Sequence, residues 1–192
     1  MWTGESAAGN LVADALRAWA GADVALHHGG YLGGQRTFGP GELTRRDVVE
    51  LVPFVHAMVL RVSGAQLLAA LEIGVSGAPE GAARFTHVSG IRFTYDPSRP
   101  TGGRLVSATV DGHSVDSAAT YTLATTDFVG LGLGGYDPLR SAETLVPHTA
   151  GPTLVSIVLD YFAPRGSVSA AIEGRIRVAG APAPAPAQLP GV

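Results

Sequence analysis

The sequence predicts an α+β domain, on three observations: apolar residues recur at helical spacing near both ends of the chain, strands and hairpins fill its middle, and 46% of its 192 residues are hydrophobic. That is enough apolar material for one core and short for two. Residues 1–178 are the expected domain, a mixed β-sheet with flanking helices. From Ala179 a Pro/Ala-rich tail, residues 179–192, is expected to be extended and outside the core. Trp2-Thr3-Gly4-Glu5-Ser6 runs into a helix almost at once, as a fragment of a longer protein would.

From about Ala7 to Trp19, Leu11, Val12, Ala15, Leu16 and Trp19 mark one face of an amphipathic helix. Gly9 and Asn10 are poor helix formers there, so they either delay its start or allow a neighbouring element to approach closely. Ala22 to His27 has the pattern of a short buried strand. Thr44, with Asp47 three residues on, caps a helix that Pro53-Phe54 stops. Met58, Leu60 and Val62 alternate as a strand, and Ser63 caps a helix carrying Leu67, Leu68, Leu71 and Ile73. Strands follow at Ile91–Tyr95 and Arg104–Val110, with Asp111-Gly112 as a tight hairpin turn and Tyr121–Thr126 as a further strand. A helix from Thr153 to Phe162 and a strand from Arg175 to Val178 close the domain.

Two stretches depart from ordinary core. After Thr126 the chain carries Gly130, Gly132, Gly134 and Gly135 before Tyr136, and after His27 it carries Gly29, Gly30, Gly33 and Gly34. Glycine inside an apolar run gives up packing, so such runs point to a backbone shaped for close approach. Phe128 stands at the mouth of the first run, either as a stacking surface for a flat ligand or as a core ring capping a sheet. The second run lacks the spacing of a phosphate-binding loop. His27 and His28, adjacent on a strand, point to opposite faces, so one is structural and at most His28 faces the loop.

Several classes of chemistry are excluded. A net charge of -3 with no basic run argues against a nucleic-acid partner. With no cysteine there is neither a disulfide framework nor a thiolate metal site. No stretch reaches the roughly 18 to 20 apolar residues of a membrane helix, and Met1 is not followed by the basic and apolar segments of a signal peptide. A two-metal phosphoesterase site needs clustered Asp, His and Asn, whereas the D-x-H here, Asp111-Gly112-His113, falls on a hairpin tip. The approach to a nucleophile elbow, Gly74-Val75-Ser76-Gly77-Ala78, misses its last glycine.

The runs Glu5-Ser6-Ala7-Ala8-Gly9-Asn10-Leu11-Val12-Ala13-Asp14-Ala15, Pro53-Phe54, Ser63-Gly64-Ala65-Gln66-Leu67 with Leu71-Glu72, and Val88-Ser89-Gly90-Ile91-Arg92-Phe93-Thr94-Tyr95-Asp96-Pro97-Ser98-Arg99-Pro100 stand in an order and spacing that resembles the C-terminal domain of the 5'-nucleotidases. That family is usually secreted or periplasmic. The resemblance covers the chain to about Val178. It implies a domain that recognises a nucleoside or nucleotide for nucleotide catabolism and is not catalytic by itself, because a separate metallophosphatase domain, in cis or in trans, holds the divalent metals. No cofactor is implied for this chain, and no nucleic acid or membrane. The resemblance makes Phe54 and Phe128 the two rings that sandwich the base, and adds His28, Gly30, His56, Gly90 and Arg36 as substrate-binding candidates.

The family's N-G-G-G-I-R loop is here His28-Gly29-Gly30-Tyr31-Leu32-Gly33, so Gly33 stands where the phosphate-facing arginine is expected. Gly134 likewise replaces the aspartate that would bind ribose, and His56 an asparagine. Each lost charge-assisted hydrogen bond costs on the order of 1.5 to 3 kcal/mol, and Arg36 is the nearby basic residue that could substitute. The alternative expectation is a non-catalytic binding or interaction module whose nucleotide cleft has degenerated.

Overall fold

The computed structural model describes residues 3–33, 39, 41–78 and 80–181. Five helices, α1 (Ala7–Ala20), α2 (Arg45–Leu51), α3 (Gly64–Val75), α4 (Asp127–Gly130) and α5 (Leu154–Phe162), accompany nine strands among these residues. The strands are β1 (Val24–His28), β2 (Ala57–Ser63), β3 (Thr86–Ser89), β4 (Ile91–Tyr95), β5 (Leu105–Val110), β6 (His113–Ser114), β7 (Thr120–Thr126), β8 (Glu143–Val146) and β9 (Ile176–Val178). The α+β expectation holds, with the strands divided between two mixed sheets.

The larger sheet has the order β3-β1-β7-β2-β8, with β1 and β7 parallel and every other pairing antiparallel. The smaller has the order β6-β5-β4-β9, with β4 and β9 parallel. Alternation along the strands of the larger sheet separates two cores. Val24, Leu26, Met58, Leu60 and Leu123 face α3 and the smaller sheet, together with Phe93 and Tyr95. On the opposite face Ala25, Ala57 and Ala124 line up, and these small side chains let α1, α2 and α5 lie close on the sheet through Leu16, Val48, Leu154 and Val158.

The helix ends follow local chemistry. Ser6 accepts the Gly9 N–H at 3.1 Å to start α1, and Gly21, at φ 57°, ends it in the left-handed conformation that glycine adopts at low cost. Thr44 and Asp47, and Ser63 and Gln66, form reciprocal capping boxes on α2 and α3. Gly9 permits a close approach, since a Cβ there would collide with the His87 ring on β3. Asp111 and Gly112 both take positive φ, 50° and 80°, as the two-residue hairpin between β5 and β6 requires.

Three features were not expected from the sequence. The glycine run after β7 is not an open loop but folds into α4 and two tight 3-10 turns, Leu133–Gly135 and Asp137–Ser141. Strand β8, on the sheet edge, is short and exposes Glu143 and Thr144. Finally, a further strand, β3, precedes β4, and Gly90, at φ 74°, swings the chain from β3 in one sheet to β4 in the other.

Candidate functional site

Four chain segments meet at one end of the larger sheet. The parallel strands β1 and β7 both finish there, at His28 and Thr126, and the antiparallel strands β2 and β3 both begin there. Crevices beyond the carboxyl ends of adjacent parallel strands are where open sheets commonly bind ligands. The register makes the meeting specific, pairing His28 with Thr86 and Ala57 with Thr126.

Phe128 projects from the first turn of α4. Its half-buried ring lies 5.1 Å from His28 and 5.7 Å from Tyr31, edge to face in both cases. Behind them Tyr136 is fully buried; its hydroxyl lies 2.9 Å from Thr86 Oγ1 and donates to Arg84 O at 3.1 Å. Burial pushes the Tyr136 phenol up to about 12. Gly134 lies under the Phe128 ring at φ 65°, where a Cβ would sit 2.6 Å from Cε1. An aspartate at this position would therefore displace the ring.

Phe54 stands on the segment that leads into β2 at the same end of the sheet. The Asp127 N–H donates to His56 O at 2.8 Å, and Asp127 Oδ2 accepts the His56 N–H at 3.2 Å, tying the segment before β2 to the start of α4. Phe54, two residues before His56, is 65% exposed, and no described ring packs against it. The two phenylalanines thus rise from hydrogen-bonded segments without touching each other's rings.

His28 and His27 separate as strand geometry demands. His28 accepts the Gly30 N–H on Nδ1 at 3.1 Å, and burial, with the nearby Arg84 charge, lowers its pKa to about 4. His27 is buried on the helix-covered face, cross-strand from His87, and burial above all lowers its pKa to about 3. Gly30 belongs to the turn below His28, where a Cβ would crowd the His28 ring and Ala83. His56 is exposed and meets Asp127 through its backbone. Gly33 donates to Leu51 O at 2.7 Å, and a side chain there would run into the Glu50 carbonyl.

Two candidates fall elsewhere. Arg36 lies outside the described residues. Gly90 lies at the opposite end of β1 from His28, since Ser89 pairs with Ala25, and a Cβ on it would strike Asp23 O and Arg17. Its place is the pivot between sheets, not the site. A cleft of about 440 Å³ opens near that end, lined by Asp14, Arg17, Ser89, Tyr161 and Arg165 among others. Its polar groups serve the fold: Arg17 donates to Ala22 O and Asp23 O, Arg165 to Tyr161 O, and Asp14 accepts from Arg175 and Ser89.

Sequence reading missed Tyr31 and Asp127 beside Phe128, and Arg84, Thr86 and Tyr136 around His28. Only a β1–β3 register could have found Arg84 and Thr86; Tyr31 lies within one glycine run and Tyr136 closes the other, which was a usable signal. Among the described residues no three His, Asp or Glu side chains gather as a metal site, and no helix is long and apolar enough to cross a membrane.

Residues 1–141 match the family model for the 5'-nucleotidase, C-terminal domain. The chain is 31% identical over 186 residues to the trifunctional nucleotide phosphoesterase protein YfkN of Bacillus subtilis, covering 91% of this chain and 12% of that protein. It is 29% identical over 190 residues to the snake venom 5'-nucleotidase of Crotalus adamanteus, covering 88% and 32% respectively. The fold matches the crystal structure of the 5'-nucleotidase precursor from Thermus thermophilus with a TM-score of 0.84 at 33% identity, over 94% of this chain and 36% of that one. The chain thus spans about a third or less of the length of these relatives. The chain belongs to the 5'-nucleotidase C-terminal domain family.

Proposed function

We propose that this chain is the substrate-recognition domain of a 5'-nucleotidase-like hydrolase, gripping a nucleoside or nucleotide between Phe54 and Phe128 and leaving hydrolysis to a metallophosphatase domain in cis or in trans. The observation that carries this reading is the pair of unstacked rings held at one sheet end by the Asp127–His56 hydrogen bonds. Stacking on an aromatic ring is worth roughly 1 to 3 kcal/mol per base and tolerates different bases. Calorimetric titration with adenosine, AMP and UDP-glucose tests it. Binding that Phe128→Ala abolishes, and phosphate release only when a metallophosphatase domain is added, are expected. A folded chain that gives no heat with any of them would overturn the proposal.

A second reading, a non-catalytic binding module with a degenerate nucleotide cleft, is favoured by Gly33 and Gly134. Both are packed so that neither an arginine nor an aspartate fits without moving Glu50 or Phe128. It predicts equal affinity for adenosine and AMP, because stacking persists while the phosphate contact does not.

A further inference from the structure

The polar groups around Phe128 are uneven in hydrogen-bonding sense. His28 Nδ1 accepts the Gly30 N–H, so the ring proton of the neutral imidazole lies on Nε2, and no described residue bonds to that atom. Its lowered pKa keeps His28 in this neutral form at pH 7. Arg84 leaves the chain beside it: Ala83 O accepts the Gly30 N–H and Arg84 O accepts the Tyr136 hydroxyl. The exposed Arg84 guanidinium makes one long contact, 3.5 Å to Ser76 Oγ, and no ion pair with a described carboxylate.

The acceptors described at this end each already take at least one protein donor. Asp127 Oδ1 takes the Phe128 N–H at 2.7 Å and Oδ2 takes the His56 N–H. The carbonyls of Ala83 and Arg84 are likewise occupied. The Tyr31 hydroxyl can act in either sense.

Building on the recognition reading above, we infer that the stacked group is a purine bearing an oxo group at C6, as in a hypoxanthine or guanine nucleoside, in preference to adenine. A 6-oxopurine offers two adjacent acceptors, O6 and N7, to the His28 and Arg84 donors, in the way arginine reads guanine in a groove. Adenine keeps N7 but sets its N6 amino donor against donors. Pyrimidines have no imidazole edge and so lack the O6/N7 pair.

The test is titration of the purified chain with inosine, guanosine and adenosine, repeated with Arg84→Glu, a change at an exposed position that turns a donor into an acceptor. Inosine and guanosine are expected to bind about tenfold more tightly than adenosine, the worth of one well-made hydrogen bond over a mispaired one. Arg84→Glu is expected to reverse the order. Equal binding of all three, or an unchanged ratio in the variant, overturns this inference and leaves the aromatic clamp standing. No binding of any nucleoside by a chain with intact circular dichroism overturns both.

Discussion

Replacing Asp14 with alanine should destabilise the fold more than replacing Arg175 with methionine, although the two side chains form one ion pair. Arg175 donates to Asp14 Oδ1 and Oδ2 at 2.6 and 2.8 Å, to Val88 O at 3.0 Å and to Glu173 at 3.0 Å. Its side chain is 10% exposed, that of Asp14 28%. Removing Asp14 strands a buried guanidinium and frees the Ser89 hydroxyl, which donates to Asp14 Oδ1 at 2.6 Å. Breaking a buried pair this way costs about 3 to 5 kcal/mol, and the surviving Glu173 contact places the loss near the lower end, about 3 kcal/mol. Methionine fills the space of the arginine stem and leaves a carboxylate that water reaches, so its cost should be about 1 kcal/mol. Urea denaturation reads the difference as a lower midpoint at unchanged slope, and thermal melting as a fall of about 6 to 12 °C for Asp14→Ala. Equal losses in both variants would mean that packing, not charge, makes the contribution.

Gly33→Arg, the substitution that would restore the family residue, should destabilise by about 1 to 3 kcal/mol through overpacking against Glu50 O and should not improve AMP binding; denaturation and calorimetry check both. Gly90→Ala should cost at least about 2 kcal/mol, from its left-handed backbone and the clash with Asp23 O, yet leave nucleoside affinity of the folded protein unchanged. Stability should fall as the pH drops below 6.5. His27 and His28 have folded pKa values of about 3 and about 4, under their unfolded 6.5, so the unfolded state binds more protons in that window. The groups facing His27 are His87 and His28, and Arg84 faces His28, so neither is offered a carboxylate on protonation. Each contributes a slope approaching 1.4 kcal/mol per pH unit, and His27→Leu should flatten the profile measured from urea midpoints between pH 7 and 5.

Much of the fold was legible because its signals are local. The Thr44 and Ser63 caps, the Asp111-Gly112 turn and the apolar stripe of α1 each act within a few residues, and each element appears where those residues place it. The division into two sheets was not legible, because β3, Thr86-His87-Val88-Ser89, carries a single apolar residue and one glycine separates it from β4, so that only the backbone of Gly90 marks the pivot. Strand β8 escaped notice because an edge strand of four residues, half of it exposed, has too little alternation to register.

The site divides in the same way. Phe54, Phe128 and His28 were visible as aromatic residues at element ends, and the parallel pairing of β1 with β7 carries His28 and Phe128 to one place. Arg84 was invisible, because what brings it beside His28 is the pairing of His28 with Thr86, sequence positions far apart. Gly90 was misplaced for the converse reason: a glycine needed for a turn and one needed for a ligand look alike in a string of letters. Geometry separates them. Gly134 lies under the ring proposed to stack, and Gly90 lies against Asp23 O at the end of β1 opposite His28. A glycine between β3 and β4 therefore constrains how the two sheets join, whereas a glycine at 134 constrains what can lie on Phe128. Alanine at 90 should accordingly cost stability alone, whereas alanine at 134, where φ is also positive at 65°, should cost stability and in addition shift the Phe128 ring, a change that calorimetry reads as altered nucleoside affinity.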